Sequence, residues 1–250
     1  MHKRKPKMIL FDYGHTLLFE PEFDTLRGQE ALFQHVKCNK NNLTPKQAND
    51  FAQELFATTS AVREIGFELH EWQFQRLLYE YLEIELSISF HEAESVFWDS
   101  ASLGAPMPSV HKALDSINAS GIRSGVISNI SFSGAALTKR INRLLPQNRF
   151  EFVMASSEYT LRKPHPMLFE IALKKARLSA EDVWFCGDNI RADVEGSAAV
   201  GIFPVWYENE TIENPWRDQS KGERPMCTHL HIHDWLELIE RLNKLEDFVQ

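Results

Sequence analysis

The sequence predicts an α/β protein with a doubly wound parallel sheet and a helical segment inserted after its first strand. Six short apolar runs lack the polar alternation of half-exposed strands, as expected of parallel strands covered on both faces. They span residues 8–11, 125–127, 150–154, 183–186, 203–206 and 230–232. From about residue 107 these runs alternate with amphipathic patterns, which is typical of a parallel sheet with helices on both sides.

The helices of the sheet region follow from apolar residues repeated every three or four positions. Val110, Ala113, Leu114 and Ile117 have this spacing and stop before Gly121, a residue suited to end a helix. Two further stripes follow the same pattern, at Leu137, Ile141 and Leu144 and at Phe169, Ala172, Leu173 and Ala176. The segment DWLELIERL, 234–242, predicts a final helix after the last strand.

Residues 20–104 carry helical patterns alone, which predicts a separate helical cap. Thr44, Pro45 and Gln47 match an N-cap, a proline in the first turn and a capping-box partner. Apolar and aromatic stripes expected to form the cap core are Phe51, Ala52, Leu55 and Phe56, Trp72, Leu77, Leu78, Tyr81 and Leu82, and Val96 and Phe97. The predicted domains are therefore a core of residues 1–19 and 105–250 and a cap of residues 20–104.

Composition and charge limit the classes of function open to the chain. Its 250 residues, 43% of them hydrophobic, suffice for a large core, and the net charge of -8 argues against a nucleic-acid binder. A local site for a small phosphorylated molecule is compatible with that charge. Cys38, Cys186 and Cys227 are far apart, which favours a reducing cytoplasm over a disulfide framework or a zinc ribbon. The apolar run interrupted by Asp12 is too short for a signal peptide or a membrane span.

Polar residues follow four of the predicted strands, at the edge where open parallel sheets bind ligands. They are Asp12 after the first strand, Ser128 and Asn129 after the second, Lys163 beyond the third, and Asp188 and Asp193 after the fourth. Taken singly, each could be a turn or cap residue, and Lys163 could be an ordinary exposed lysine. An acidic residue that ends a buried strand is costly without a partner, which favours a functional role for Asp12 and Asp188.

The order of these residues resembles the four motifs of the haloacid dehalogenase superfamily of hydrolases. The motifs are DYGHT at 12–16, GVISN at 125–129, RKPHP at 162–166 and GDNIRAD at 187–193. The resemblance covers nearly the whole chain, and the inserted segment looks like the helical cap of the branch that carries one after the first motif. It implies a Rossmann-like core and a hydrolase, most simply a phosphatase acting on a small phosphorylated metabolite.

The resemblance also implies how the two acidic motifs work. Asp12 would attack phosphorus and form an aspartyl-phosphate. Mg²⁺ held by Asp12, Asp188 and the backbone carbonyl of Gly14 would relieve the repulsion between the two anions. Asp193 is expected to brace the site rather than to bind the metal.

The other two motifs are expected to handle the phosphoryl group. Lys163 would neutralise charge on the nucleophile and on the phosphoryl group. The Ser128 hydroxyl and nearby backbone N–H groups would hold the phosphoryl oxygens. Asn129 is a further candidate for contact with the ligand, although Ser128 and Asn129 together could also form a plain turn.

The first motif departs from the superfamily pattern at position 14. In the superfamily's phosphatases a second Asp here protonates the leaving group and activates water, whereas this chain has Gly14. General acid–base catalysis contributes about 10²–10⁴-fold, so its loss predicts a slower enzyme and favours leaving groups that need no proton. His15 is a candidate replacement because its ordinary pKa suits a proton carrier, but it takes the place of a glycine and could point away from substrate.

Two other functions stay open. The superfamily's phosphonatases and dehalogenases also lack the second Asp, although the chain matches neither a phosphonatase cap lysine nor a dehalogenase first motif. The second alternative is a regulatory protein that binds phosphate or metal with little turnover.

Two features outside the motifs also invite a hypothesis. His229, His231 and His233 alternate, so in a strand they would face one side and could form a metal site, but histidines at the surface or an edge are favoured. The long polar loop 207–226, near Trp206 and Trp216, could form part of a partner surface.

Overall fold

The computed structural model describes residues 4–214 and 222–246 of the chain. In chain order its strands are β1 Met8–Phe11, β2 Leu18–Phe19, β3 Val36–Asn39, β4 Ile84–Leu86, β5 Ala105–Pro106, β6 Arg123–Ser128, β7 Phe150–Ala155, β8 Val183–Gly187, β9 Phe203–Tyr207 and β10 Leu230–Ile232. Its α-helices are α1 Thr25–Phe33, α2 Pro45–Thr59, α3 Glu71–Tyr81, α4 Phe90–Ala101, α5 Val110–Ala119, α6 Gly134–Leu144, α7 Pro166–Ala176, α8 Gly196–Ala199 and α9 Trp235–Asn243.

Six of these strands form one parallel sheet, in the order β10, β9, β8, β1, β6, β7. Each of the six predicted apolar runs lies in one of them, so the predicted fold class is confirmed. β1 pairs with β6 on one side and with β8 on the other, where Phe11 faces Val126 and Cys186. The carboxyl ends of these three strands therefore meet at the point where the winding of the sheet reverses, which is where such folds bind ligands.

Apolar side chains pack on both faces of the sheet. Ile9 and Phe11 belong to one core, which α5, α6 and α9 cover, while Met8 and Leu10 belong to another, which α7 covers. Successive side chains of a strand point to opposite faces. Both sets are buried, and this explains why β1 reads as an uninterrupted apolar run.

The segment between β2 and β5, which we call the cap segment (residues 20–104), contains α1 to α4. The capping box predicted from Thr44 and Gln47 is present at the start of α2. The prediction of helices alone misses an antiparallel pair, β3 with β4. These strands are short and only Ile84 among their residues is buried, which leaves no apolar period to detect. Leu77 and Tyr81 are 49% and 68% exposed, so their predicted place in the cap core is wrong; Tyr81 instead stacks on Phe51.

β2 and β5 pair where the chain leaves the sheet region and returns to it. Leu18 faces Pro106 and Phe19 faces Ala105, so the two ends of the cap segment are held side by side. The domain division at residues 20 and 104 agrees with this pair and stays a prediction. None of the helices in the described residues combines the length and hydrophobicity that crossing a membrane requires. Trp216, in the predicted partner surface, lies outside the described residues.

Candidate active site

Lys163 joins two carboxylates at the carboxyl edge of the sheet. Its Nζ donates to Oδ1 of Asp12 at 2.6 Å and to Oδ1 of Asp193 at 2.6 Å. Asp12 directly follows β1, and its N–H donates to the carbonyl of Cys186 at 2.9 Å, which continues the pairing with β8. Lys163 is only 3% exposed, and its Nζ lies 4.9 Å from the centre of the Phe185 ring. The structure thus brings three of the predicted site residues into direct contact.

Burial and mutual contact set the charges in this cluster. Burial alone would lower the pKa of Lys163, but Asp12 and Asp193 outweigh it and raise that pKa. Burial raises the pKa of Asp193 to about 6, and Lys163 opposes the rise. Lys163 therefore stays charged at neutral pH and donates hydrogen bonds to both carboxylates.

Asp188 adds a third carboxylate at this edge. Carboxylate oxygens of Asp12, Asp188 and Asp193 lie within 4.8 Å of one another, close enough to hold a metal ion. Oδ2 of Asp188 accepts a hydrogen bond from Nδ2 of Asn214 at 2.7 Å. A Cβ at Gly187 would lie 2.4 Å from the carboxyl carbon of Asp193, so only glycine allows that carboxylate to pack against the end of β8.

Ser128 and Asn129 lie at the end of the neighbouring strand. Ser128 is the last residue of β6 and is buried. The side chain of Asn129 uses both ends of its amide on Lys163: Nδ2 donates to the carbonyl at 2.9 Å, and Oδ1 accepts from the N–H at 2.7 Å. These bonds indicate that Asn129 positions Lys163, while its contact with a ligand stays a prediction.

Gly14 and His15 form the turn after Asp12. Apart from its chain neighbours, a Cβ at Gly14 would meet no heavy atom within 4 Å, so a side chain could begin here without a clash. His15 has a φ of 51°, a left-handed conformation that glycine adopts more readily. Its ring centre lies 6.4 Å from that of Phe19 in β2. The ring thus lies towards β2, and its part in proton transfer stays a prediction.

Glu68 joins the cap segment to the loop that carries Lys163. Its buried carboxylate accepts hydrogen bonds from Arg162 Nη1, from Arg63 Nε at 2.8 Å and from Ser156 Oγ at 2.9 Å. Arg162 directly precedes Lys163 in the chain. The cap segment is therefore fixed beside the carboxylate cluster by a residue that shows no motif or periodic pattern in the sequence.

Tyr13, the neighbour of Asp12, belongs to a second buried cluster between cap segment and core. Arg140 of α6 donates Nε to the Tyr13 hydroxyl at 3.1 Å and Nη2 to Glu20 Oε2 at 2.7 Å. Its guanidinium carbon also lies 4.5 Å from the centre of the Trp98 ring in α4. Burial raises the pKa of Tyr13, so its hydroxyl stays protonated. Arg140 thus ties the loop after β1 to both ends of the cap segment.

A cavity of about 370 Å³ lies among α1, α2 and α3 and reaches the loop that follows β6. Its wall is mostly apolar, and two residues of the core close one end. Lining residues include Phe23, Phe56, Phe74 and Phe97 of the cap segment and Ser131 and Phe132 of the core. The aromatic stripes predicted as cap core therefore line a cavity in part.

The three alternating histidines lie at the sheet edge, in or beside β10. Nε2 of His231 is 2.8 Å from Oε2 of Glu208, Nδ1 of His233 is 3.0 Å from the Glu208 carbonyl, and Nδ1 of His229 is 2.8 Å from the Cys227 carbonyl. Glu208, His231 and His233 are also close enough to hold an ion. Each ring thus has a protein partner at this edge, and metal binding stays a prediction.

Comparisons with known proteins relate this chain to a family of enzymes. The family of haloacid dehalogenase-like hydrolases matches residues 22–206. A glyceraldehyde 3-phosphate phosphatase of Methanocaldococcus jannaschii is 24% identical over 95% of this chain and 99% of its own. A pyrimidine 5′-nucleotidase of Streptococcus pneumoniae is 25% identical over 95% of each chain.

Solved structures agree with the family match at the level of the fold. A 2-haloacid dehalogenase from Pseudomonas syringae pv. Tomato has a TM-score of 0.59 and 21% identity, over 98% of this chain and 99% of the other. A phosphatase from Thermococcus onnurineus has a TM-score of 0.58 and 16% identity, over 95% and 98%. Because the family match spans most of the chain and the fold agrees with it, this chain belongs to the haloacid dehalogenase-like hydrolases.

Proposed function

We propose that the protein is a Mg²⁺-dependent phosphatase that acts on a small phosphorylated metabolite through an aspartyl-phosphate on Asp12. The observation that carries this proposal is the contact of Lys163 with Asp12 and Asp193 at the carboxyl edge of the sheet. The relatives named as a phosphatase and a nucleotidase support hydrolysis of a phosphate ester. The free cysteines are consistent with action in the cytoplasm.

The donor set fits Mg²⁺, which prefers oxygen ligands from one or two carboxylates completed by substrate phosphate and water. Asp12 and Asp188 would supply the carboxylates and Gly14 a carbonyl oxygen, while Asp193 is occupied in holding Lys163. When bound, the ion would reduce the repulsion between the Asp12 carboxylate and an incoming phosphate.

The chain's own residues would perform the remaining work. Lys163 would hold Oδ1 of Asp12 and stabilise negative charge on the transferred group while the carboxylate attacks phosphorus. The Ser128 hydroxyl and the N–H groups of the loop after β6 would bind the phosphoryl oxygens. Asn129 would fix the main chain of Lys163 and so the direction of its side chain.

Gly14 would determine which step is slow. Without a carboxylate at this position, no group there protonates a departing alkoxide or deprotonates the water that attacks the aspartyl-phosphate. An aryl or acyl leaving group departs without a proton, so formation of the intermediate suffers little. Hydrolysis of the aspartyl-phosphate has no general base at position 14 and is slower by about 10²–10⁴-fold, so the aspartyl-phosphate accumulates on Asp12.

Variants at position 14 test this proposal. Gly14→Asp has room for its Cβ, and Gly14→Asn adds nearly the same volume without a base. With Mg²⁺ and glycerol phosphate, Gly14→Asp should raise kcat at least about tenfold above wild type while Gly14→Asn does not. Asp12→Asn should abolish turnover of every ester. Turnover that survives Asp12→Asn overturns the assignment of the nucleophile.

The alternatives predict different results in the same assays. A dehalogenase or phosphonatase would release halide or cleave a carbon–phosphorus bond without hydrolysing phosphate esters. A regulatory protein would bind a phosphate analogue without turnover. If His15 protonates the leaving group, His15→Asn should lower kcat/KM for an alkyl phosphate and leave kcat/KM for an aryl phosphate little affected.

A further inference from the structure

We infer that the cavity in the cap segment receives the leaving group of the substrate and selects leaving groups that carry an aromatic ring. The inference deepens the proposed function and rests on it. It narrows the substrate class to aryl or heteroaryl phosphate monoesters.

The cavity is too large to be a packing defect. Voids larger than a water molecule are few in protein interiors. An apolar cavity of about 150 Å³ already accommodates benzene. With about 370 Å³, this one lies in the range of small-molecule sites and has room for one ring with its substituents.

The wall of the cavity suits an aromatic ring. Phe23 and Phe97 form one edge-to-face pair, with ring centres 6.3 Å apart, and Phe56 and Phe74 form a second, at 5.6 Å. At the core end, Phe132 stacks on Trp98 with ring centres 4.0 Å apart. Aromatic groups favour offset or edge-to-face neighbours, which a ring in this cavity would find on several sides.

Two pairs of polar side chains on the wall bond to each other, while Oε1 of Gln75 has no hydrogen-bond partner among the described residues. Gln29 Nε2 donates to the Tyr79 hydroxyl at 2.8 Å, and Gln75 Nε2 donates to Glu71 Oε1 at 3.1 Å. No Lys or Arg is among the described residues that line the cavity. The wall therefore offers no cation to a second phosphate or to a carboxylate, which disfavours leaving groups that carry either.

One end of the cavity lies close to the predicted phosphoryl-binding loop. Ser131 follows Ser128 by three residues, and three residues of extended chain span at most about 11 Å. The N–H of Glu71 donates to the Ser131 carbonyl at 2.9 Å, which joins the cavity wall to this loop directly. This end of the cavity is therefore the part of its wall that lies nearest to Ser128 along the chain, and the ester substituent of a phosphate held at Ser128 would have to extend toward it.

Gly14 favours the same substrates for an independent reason. An aryl leaving group departs without a proton, so it suits a site that lacks the general acid. An acyl phosphate shares this chemistry but has no ring. Comparing an aryl phosphate with an acyl phosphate therefore separates the effect of the cavity on turnover from the effect of the missing general acid.

The test compares phenyl phosphate with acetyl phosphate in the presence of Mg²⁺. Ala52 lines the cavity, and Ala52→Leu should lower the ratio of kcat/KM for phenyl over acetyl phosphate at least about tenfold. Phe56→Leu enlarges the cavity and should raise the ratio for 1-naphthyl over phenyl phosphate. Ala61→Leu, at an exposed position just after α2 and outside the cavity, is the matched control and should leave both ratios unchanged.

The results of these assays separate the role of the cavity from the proposed function. If acetyl phosphate is hydrolysed and neither cavity variant changes its ratio, the cavity does not receive the leaving group, although the proposed function stands. If Ala52→Leu fails to fold, the naphthyl ratio of Phe56→Leu decides alone. If no ester is hydrolysed, acetyl phosphate included, the proposed function fails and this inference fails with it.

Discussion

Replacing Glu71 by Gln is expected to stabilise the protein much more at alkaline than at acidic pH. Glu71 lies buried in the first turn of α3, where its Oε1 accepts a hydrogen bond from Gln75 at 3.1 Å. Burial raises the pKa of this carboxyl from its ordinary 4.5 to about 7. An amide at the same position keeps the shape and the acceptor oxygen but carries no charge at any pH.

The two pKa values give the size and sign of the effect. Their difference corresponds to about 3 kcal/mol. The folded state holds the proton of Glu71 more tightly than the unfolded state does. The free energy of unfolding of the wild type therefore falls as pH rises from 4.5 to about 7 and does not fall further above about 7. For a chain of this size that loss is roughly 6–12 °C in Tm.

Thermal unfolding at about pH 5 and about pH 8 measures this difference. Tm of Glu71→Gln should exceed that of the wild type by only about 2–4 °C at the lower pH, where the loss has just begun, and by roughly 6–12 °C at the higher one. Glu80→Gln removes a charge from an exposed position on the same helix and serves as the control. A Tm difference that is the same at both pH values, or that Glu80→Gln reproduces, would contradict ionisation of buried Glu71 as its cause.

Three further substitutions test the site and its supports. Lys163→Met should lower kcat for phenyl phosphate by about 10²–10³-fold, because a charge-stabilising group is lost; a smaller loss argues against its role. Glu68→Ala leaves Arg162 without its carboxylate and should lower the free energy of unfolding in urea by about 3 kcal/mol, whereas a change near zero contradicts its importance. Gly187→Ala places a Cβ 2.4 Å from the carboxyl carbon of Asp193 and should lower both Tm and kcat. An unchanged kcat would show that Asp193 need not hold its position.

The central sheet was predictable because burial on two faces leaves a direct mark on the sequence. Residues 8–11 are apolar without interruption since Met8 and Leu10 face one core while Ile9 and Phe11 face the other. The strands β3 and β4 leave no such mark, because they are short and bury only one residue, Ile84. Tyr81 follows the helical period but lies on the outer face of α3, since a period of apolar residues does not say which stripe is buried.

The motif residues of the site were predictable for a topological reason. Parallel strands end at one edge, so Asp12, Lys163 and Asp193 meet there despite their distance in sequence. The groups that support these residues were not predictable from the sequence. Glu68 and Arg140 act through long-range contacts that follow from the packing of the cap segment on the core. The cavity was also missed, since aromatic residues that line a cavity and those that fill a core have the same sequence period.

Phosphoryl labelling of the wild-type protein shows directly whether Asp12 is the nucleophile. The protein is incubated with Mg²⁺ and radiolabelled acetyl phosphate, quenched in acid and digested, and the labelled peptide is identified by mass spectrometry. We expect a hydroxylamine-sensitive label on Asp12 that persists in the wild type and is discharged faster in Gly14→Asp. Release of phosphate with no label on Asp12 in either protein, or a label on another residue, would contradict that role of Asp12.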